Sequence, residues 1–220
     1  MNIFKRYDNI LQTEGEVIRN FTWAYDLGCC LVGIGIGFRH NVLELAELQP
    51  GEQVLDVGCG TGVMTRLATD IVGSEGKAIG VDPSNEMIQV AKQGAAKAQS
   101  NAEFRTGVIE SLPFKDDHFD LVLSSMMFHH LPPELKKAGL GEMYRVLKPG
   151  GRLMIVDFGK PSSLVARCLL FPWRNDIMVK DNLEGRITEF IQNAGFLNIH
   201  HPKRQWHRFI SYWLATTPEK

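Results

Sequence analysis

The sequence predicts an α/β fold in which a mostly parallel sheet carries helices on both faces. Short apolar runs alternate with amphipathic helical segments from residue 53 to residue 158, the order expected of parallel strands joined by right-handed crossovers. Glycine or proline punctuates the ends of those runs, as it does for buried strands. Two later apolar stretches, 196–200 and 209–215, have the spacing of a C-terminal antiparallel hairpin. Together these give seven strands.

A chain of 220 residues suits one such domain. The expected division is an N-terminal helical lid (1–50), a ligand-binding core (51–158), and an acceptor-side segment with the hairpin (159–220). Hydrophobic residues at 44% and charged residues at 22% exclude a disordered chain. Twenty-four basic against 25 acidic side chains leave a net charge of −1, which argues against nucleic acid held by bulk charge. Lys5 and Arg6 are followed by polar residues, so the N-terminus does not read as a signal peptide. The longest apolar run, Leu27 to Phe38, is too short to span a bilayer as a helix. A cytoplasmic protein is expected, with peripheral membrane contact as its only membrane association. Cys29, Cys30, Cys59 and Cys168 form no CxxC pair, and neither a disulfide framework nor a metal site is expected.

The elements follow in order. A helix is expected around His40–Leu48, before Pro50-Gly51. Val54–Val57 reads as the first strand, and the helix after it turns Val63, Met64, Leu67, Ala68 and Ile71 to one side. Lys77–Val81 is the second strand. Ser84 caps a helix running to Ala98 with Met87, Ile88, Ala91 and Ala95 inward. Ala102–Thr106 and Phe119–Ser124 are the third and fourth strands. A helix runs from the Pro132-Pro133 pair through Leu147. Pro149-Gly150-Gly151 then turns the chain into a fifth strand, Arg152–Phe158. Residues 160–181 read as irregular, and a helix spans Leu183–Ala194 with Gly195 as its C-cap.

In such sheets the ligand crevice lies beyond the carboxyl ends of the strands. There the chain carries Asp56-Val57-Gly58-Cys59-Gly60-Thr61-Gly62. Three alternating glycines allow a ligand to approach the backbone. Position 63 is Val, so the dinucleotide fingerprint GxGxxG is not met. Asp56, at the strand end, would repel a pyrophosphate but suits a cation such as an α-ammonium group. Asp82 ends the second strand and can accept hydrogen bonds from both hydroxyls of a ribose. The pattern therefore favours a nucleoside bearing an amino acid.

These segments resemble class I S-adenosylmethionine-dependent methyltransferases, most closely the subgroup of ubiquinone and menaquinone biosynthesis. The resemblance rests on LDVGCGTG (55–62), GVDPS (80–84), Glu110–Phe114 followed by Phe119–Val122, Phe128–Leu131, and Val146–Gly151. Looser similarity extends to Tyr25-Asp26 upstream, and to 181–186 and 194–196 downstream. The resemblance implies a Rossmann-like fold and S-adenosyl-L-methionine as cofactor, with S-adenosyl-L-homocysteine as product. It implies that Asp56, Gly58, Cys59 and Gly60 line the methionine part and that Asp82 holds the ribose. Pro83, Val108 and Ile109 would lie beside the adenine, Ser124 near the methionine, and Tyr25 over the cofactor. After Gly107 the family often places an acid that reaches the adenine amino group, where this chain has Val108.

His129, His130 and Asp157 are the candidate bases, being titratable groups just past the fourth and fifth strands. The acceptor is expected to be a small molecule, quinone-like or lipidic. It would be walled by Leu27–Phe38, by Leu164, Leu169, Leu170, Phe171 and Trp173, and by Trp206, Phe209, Tyr212 and Trp213. Ser124–Met127 stand where amino methyltransferases of bases carry an Asn/Asp-Pro-Pro-aromatic motif. Three alternatives are weighed: a nicotinamide-dependent oxidoreductase, a non-catalytic interaction protein on the same scaffold, and an arsenite-type methyltransferase using Cys29-Cys30. The oligomeric state is expected to be monomer or homodimer.

Overall fold

A computed structural model of the chain describes residues 13–17, 25–31, 33–202 and 209–219. Its elements are α1 (Tyr25–Leu31), α2 (Ile36–Leu45), β1 (Gln53–Val57), α3 (Val63–Val72), β2 (Lys77–Asp82), α4 (Asn85–Ala98), β3 (Glu103–Thr106), β4 (Phe119–Ser125), α5 (Pro133–Val146), β5 (Leu147–Phe158), α6 (Leu164–Leu170), α7 (Lys180–Glu184), α8 (Ile187–Asn193), β6 (Leu197–His200) and β7 (Ile210–Thr216). The strands form one seven-stranded sheet in the order β3-β2-β1-β4-β5-β7-β6. β1 to β5 are parallel, and β7 pairs antiparallel with both β5 and β6. The strand order reverses between β1 and β4, which places a crevice at their carboxyl ends.

Strand periodicity divides the core. On one face Leu55, Val57, Val122, Leu153 and Ile155 pack with Leu140 and Met143 of α5 and Ile187 and Ile191 of α8. On the other, Val54, Leu121, Leu123, Met154 and Val156 pack with Phe38 and Val42 of α2 and Met64 and Ala68 of α3. Successive strand residues alternate between faces, so a residue's parity decides which side of the crevice it serves.

The capped helix after β2 forms as the sequence indicates. Ser84 Oγ accepts from the Met87 amide, and Met87, Ile88, Ala91 and Ala95 are buried. Five expectations are corrected. Helix α2 starts at Ile36, behind Gly35, rather than at His40. Ile71 is exposed, and Thr65 and Val72 take the buried places on α3. β5 begins at Leu147 and carries Pro149-Gly150-Gly151 within it. The register steps from Phe119 opposite Leu147 to Leu121 opposite Arg152, so the extra residues form an irregularity in the strand. The stretch 160–181 is partly helical because Ser163 Oγ caps α6 through the Ala166 amide at 3.2 Å. The single helix expected over Leu183–Ala194 is two, because Gly185 at φ +82° closes α7 before α8 begins.

Candidate active site

The glycine loop joins β1 to α3 across the crevice. The amides of Gly58 and Cys59 both donate to the Val81 carbonyl, at 2.8 and 3.0 Å, which pins the loop to the end of β2. Gly58 has φ +77°, and a Cβ there would fall 2.4 Å from Met127 Cγ. Both the dihedral and the space therefore require glycine. Asp82 takes the Gly60 amide on Oδ2 at 3.0 Å and the Ser84 amide on Oδ1 at 2.9 Å. A carboxylate has about four acceptor positions, so Asp82 keeps capacity facing the cleft. Burial raises its pKa, against the opposing pull of those two amides.

Two compartments meet at Gly58, Gly60 and Met126. The first, about 700 Å³ and open to solvent, is lined by Asp82, Pro83, Met87, Val108, Ile109 and His130, with Thr13 and Gly15–Val17 crossing its mouth. The second, about 440 Å³, is lined by Asp56, Cys59, Thr61, Ser125, Cys29 and Arg39. Desolvation pushes the Asp56 carboxyl up to about 7, against a 2.6 Å hydrogen bond from Thr65 Oγ1. Arg39 stands in the same compartment and donates to Asp26 at 3.0 Å. That Asp26 oxygen also accepts from Thr61 Oγ1 at 3.0 Å and so ties α1 to the glycine loop.

These residues fit S-adenosylmethionine. The apolar slot of Pro83, Val108 and Ile109 matches a flat base, and Asp82 in the same compartment, bonded to the Gly60 amide, matches a ribose diol. Asp56 beside Arg39 offers complementary charge to an amino-acid zwitterion. Cys59 is buried, and burial together with Asp56 and Asp82 holds its thiol well above the usual range, so it stays neutral.

The candidate bases lie at the β4–β5 corner. Phe128–His130 form one 3-10 turn anchored by Phe128, which is fully buried. His130 reaches the first compartment, and its Nδ1 lies 3.2 Å from Glu16 Oε2. Burial, reinforced by His129, lowers the His130 pKa. His129 turns the other way and does not line either compartment. Its Nδ1 is 2.8 Å from Asp157 Oδ1, and its ring packs on Phe158 with centroids 4.6 Å apart. Asp157 is wholly buried and also accepts from the Phe158 amide at 2.6 Å and the Asn182 amide at 3.3 Å. Burial, the largest influence on Asp157, would raise its pKa. The adjoining His129 ring, with its hydrogen bond and that of the Phe158 amide, outweighs it and holds the carboxyl below its usual value.

Ser124 is displaced from its expected role. It shares parity with Val122, lies buried on the α5 side and lines neither compartment, whereas Ser125 shares the face of Leu121 and Leu123 and lines the second. The period of two along β4 carried that signal. Tyr25 opens α1, but its side chain lies outside the described residues, as does Trp206. The expected acceptor wall is also redistributed. Tyr212 and Trp213 are core residues, Leu164, Leu169, Phe171 and Trp173 are exposed, and Leu170 is buried away from the cleft. Of Leu27–Phe38, Cys29, Ile34 and Phe38 line the second compartment. Arg39 and Glu16 were not legible locally, since neither belongs to a motif.

A parallel sheet reversing at β1/β4, a glycine loop and two acidic strand ends define a nucleoside-binding α/β domain. Residues 54–151 match a family described as "Methyltransferase domain". The arsenite methyltransferase of Halobacterium salinarum is 36% identical over 196 residues, covering 84% of this chain and 46% of that protein. The ubiquinone/menaquinone biosynthesis C-methyltransferase UbiE of Ectopseudomonas mendocina is 34% identical over 155 residues, covering 67% of this chain and 59% of its own length. The chain thus spans about half the length of these curated relatives. In fold it is similar to a SAM-dependent methyltransferase from Aquifex aeolicus, with TM-score 0.64 and 23% identity over 81% of this chain and 88% of that one. It is also similar to phosphoethanolamine N-methyltransferase 2 of Haemonchus contortus in complex with S-adenosyl-L-methionine, with TM-score 0.67 and 19% identity over 84% and 53%. Over residues 54–151 the chain thus carries a methyltransferase domain, on a fold shared with S-adenosylmethionine-dependent methyltransferases.

Proposed function

We propose that this protein transfers a methyl group from S-adenosylmethionine to a small apolar acceptor of quinone-like or lipidic character. The observation that carries the reading is the two-compartment cleft, with Asp82 beside the apolar slot of Pro83, Val108 and Ile109 in one compartment and Asp56 and Arg39 lining the other. The cofactor, when bound, supplies an electrophilic methyl group on a sulfonium. Asp82 orients the ribose, and Asp56 and Arg39 orient the amino-acid end, which aligns donor and acceptor. Such positioning is worth about 7–11 kcal/mol of barrier in well-oriented pairs. His130 is held neutral by burial and keeps Nε2 to accept the acceptor's proton. Met126, Met127, Leu131 and Val17 give the space around it an apolar lining.

Calorimetric titration with S-adenosylmethionine and S-adenosylhomocysteine tests the cofactor, with NAD as control and Asp82→Ala as the site variant. Binding of the first two, lost in the variant, supports the reading and opens a quinol panel. NAD binding alone would move it to an oxidoreductase. Cofactor binding with no turnover across the panel would favour the scaffold reading.

One observation favours a second acceptor. Cys29 lines the compartment that holds Asp56, and a relative of 36% identity is named for arsenite. Cys30, its neighbour, is exposed. Arsenite-dependent turnover lost in Cys29→Ser would support that acceptor, and turnover of quinols unaffected by the same change would dismiss it.

A further inference from the structure

We propose that the segment Leu164–Ile177 docks this protein on an anionic lipid surface. The chain leaves the sheet after Phe158 and returns at Asp181-Asn182, and α6 and a 3-10 turn at Phe171–Trp173 occupy the excursion. On α6, Ala166 and Leu170 face inward at 2% and 9% exposure, whereas Leu164, Val165 and Leu169 stand 78%, 69% and 59% exposed. Phe171, Trp173 and Ile177, next along the same segment, are 58%, 52% and 62% exposed. Among the described residues, the large apolar side chains this exposed elsewhere are only Ile36, Ile71 and Leu197, each on a different element. Six large exposed apolar side chains gathered in one segment of fourteen residues mark an interaction surface.

The charge of the same segment decides the occupant. Lys160, Arg167, Arg174 and Lys180 flank or interrupt the apolar face, and Asp176 is the only acid between them, in a chain of net charge −1. The Arg174 guanidinium carbon sits 3.7 Å from the centre of the Phe171 ring, which keeps a positive charge on the apolar surface. Aromatic and aliphatic side chains interleaved with arginine and lysine suit an interface of acyl chains and anionic headgroups. A second copy fits less well, because a twofold contact sets the same cationic patch against itself.

Both ends of the excursion are fastened to the candidate catalytic corner. At the start, Phe158 packs on His129. At the return, Asn182 donates to Asp157 at 3.3 Å and to the Phe158 carbonyl at 3.2 Å. The buried Lys136 ammonium donates to the Met178 carbonyl and pairs with Asp181 at 3.8 Å, which fixes the last residues of the segment. Docking would thus hold the acceptor side of the cleft close to a bilayer. The inference deepens the lipidic-acceptor reading and rests on it, but its test needs no turnover.

The experiment is co-sedimentation of the full chain with phosphatidylcholine vesicles, with and without phosphatidylglycerol, at low and high salt. Partition onto anionic vesicles is expected to exceed that onto neutral ones by about tenfold or more, and to weaken with salt. The double variants Leu169→Ser/Trp173→Ser and Arg167→Glu/Arg174→Glu are each expected to lose about tenfold of that partition. All four positions are exposed, so thermal unfolding and cofactor titration should match the parent. Equal partition on both vesicle types, charge-reversed protein that binds like the parent, or concentration-dependent dimerisation abolished by the serine variant without vesicle binding would each overturn the proposal. Absent vesicle binding with cofactor binding intact overturns docking alone. Absent cofactor binding overturns the methyl-transfer reading instead.

Discussion

His129 Nδ1 lies 2.8 Å from Asp157 Oδ1, and the carboxylate is wholly buried behind the imidazole. An ionised Asp157 can only accept, so Nδ1 carries the proton and the ring is held in one orientation beside His130, centroids 4.1 Å apart. Asp157 therefore holds the His129 ring in place. Asp157→Asn should lower kcat by about 10- to 100-fold with little change in cofactor KM, and His129→Gln should add little to it. Steady-state kinetics of the two single variants and the double variant check this. The Asp157 pKa is depressed on folding, so its stabilisation is present above the unfolded value near 3.9 and is lost as pH falls through the lower folded value. Acid unfolding of Asp157→Asn should lack that component.

Asp56 behaves with the opposite sign. Its folded pKa is raised to about 7, so the native state holds a proton that the unfolded chain releases near 3.8. Stability contributed by this group falls as pH rises from about 4 to about 7. Asp56→Asn should melt higher than the parent at pH 8 and nearly equal to it at pH 5. A bound ammonium group would expel the proton. Titrating the cofactor near pH 6.5 in buffers of different ionisation enthalpy should reveal proton release, absent in the variant. No proton release would separate Asp56 from the amino-acid end of the ligand.

His130 and Glu16 make a second pH test. Burial lowers the His130 pKa below 6.5, and Glu16 pulls it partly back up. The acid limb of the rate profile should therefore lie below the usual histidine value. Glu16→Gln should move it lower still, and His130→Gln should remove it. A limb unmoved by Glu16→Gln would take His130 out of the proton path.

Gly62 tests the loop itself. It sits at φ +73°, and a Cβ there would lie 2.4 Å from the Phe104 ring and 2.8 Å from Ala91 Cβ. Gly62→Ala should cost about 2–4 kcal/mol, from the left-handed dihedral together with overpacking. Gly51 has φ +87° with nothing within 4 Å, so Gly51→Ala should cost only about 1–2 kcal/mol. Denaturant melts of both variants measure the difference, and equal losses would refute the packing argument.

Much of the cleft lining was legible because its signals are local. Asp56, Gly58, Gly60, Asp82 and Pro83 sit at or just past strand ends that hydrophobic runs mark directly, and all of them line the cleft. Val108 and Ile109 also line it. Other residues were hidden. Arg39 lies on α2 and Glu16 on a segment before α1, and neither has a neighbour in sequence that marks it. Ser124 and Ser125 were separable by strand parity, a signal present in the sequence but decisive only once the face of Asp56 was known. His129 and His130 are adjacent, yet one faces a buried carboxylate and the other the cleft, because Phe128 locks the turn that holds both.

The sequence by itself determined the alternation of strands and helices, the glycine loop and the acidic strand ends, since periodicity and turn chemistry act over a few residues. Only the tertiary structure decided that Arg39 stands in the compartment of Asp56, that Glu16 meets His130, that Asp157 stands behind His129, and that Leu164, Val165, Leu169, Phe171, Trp173 and Ile177 face outward. Those relations depend on which faces pack across the sheet, and packing joins residues that are distant in the chain and share no local pattern.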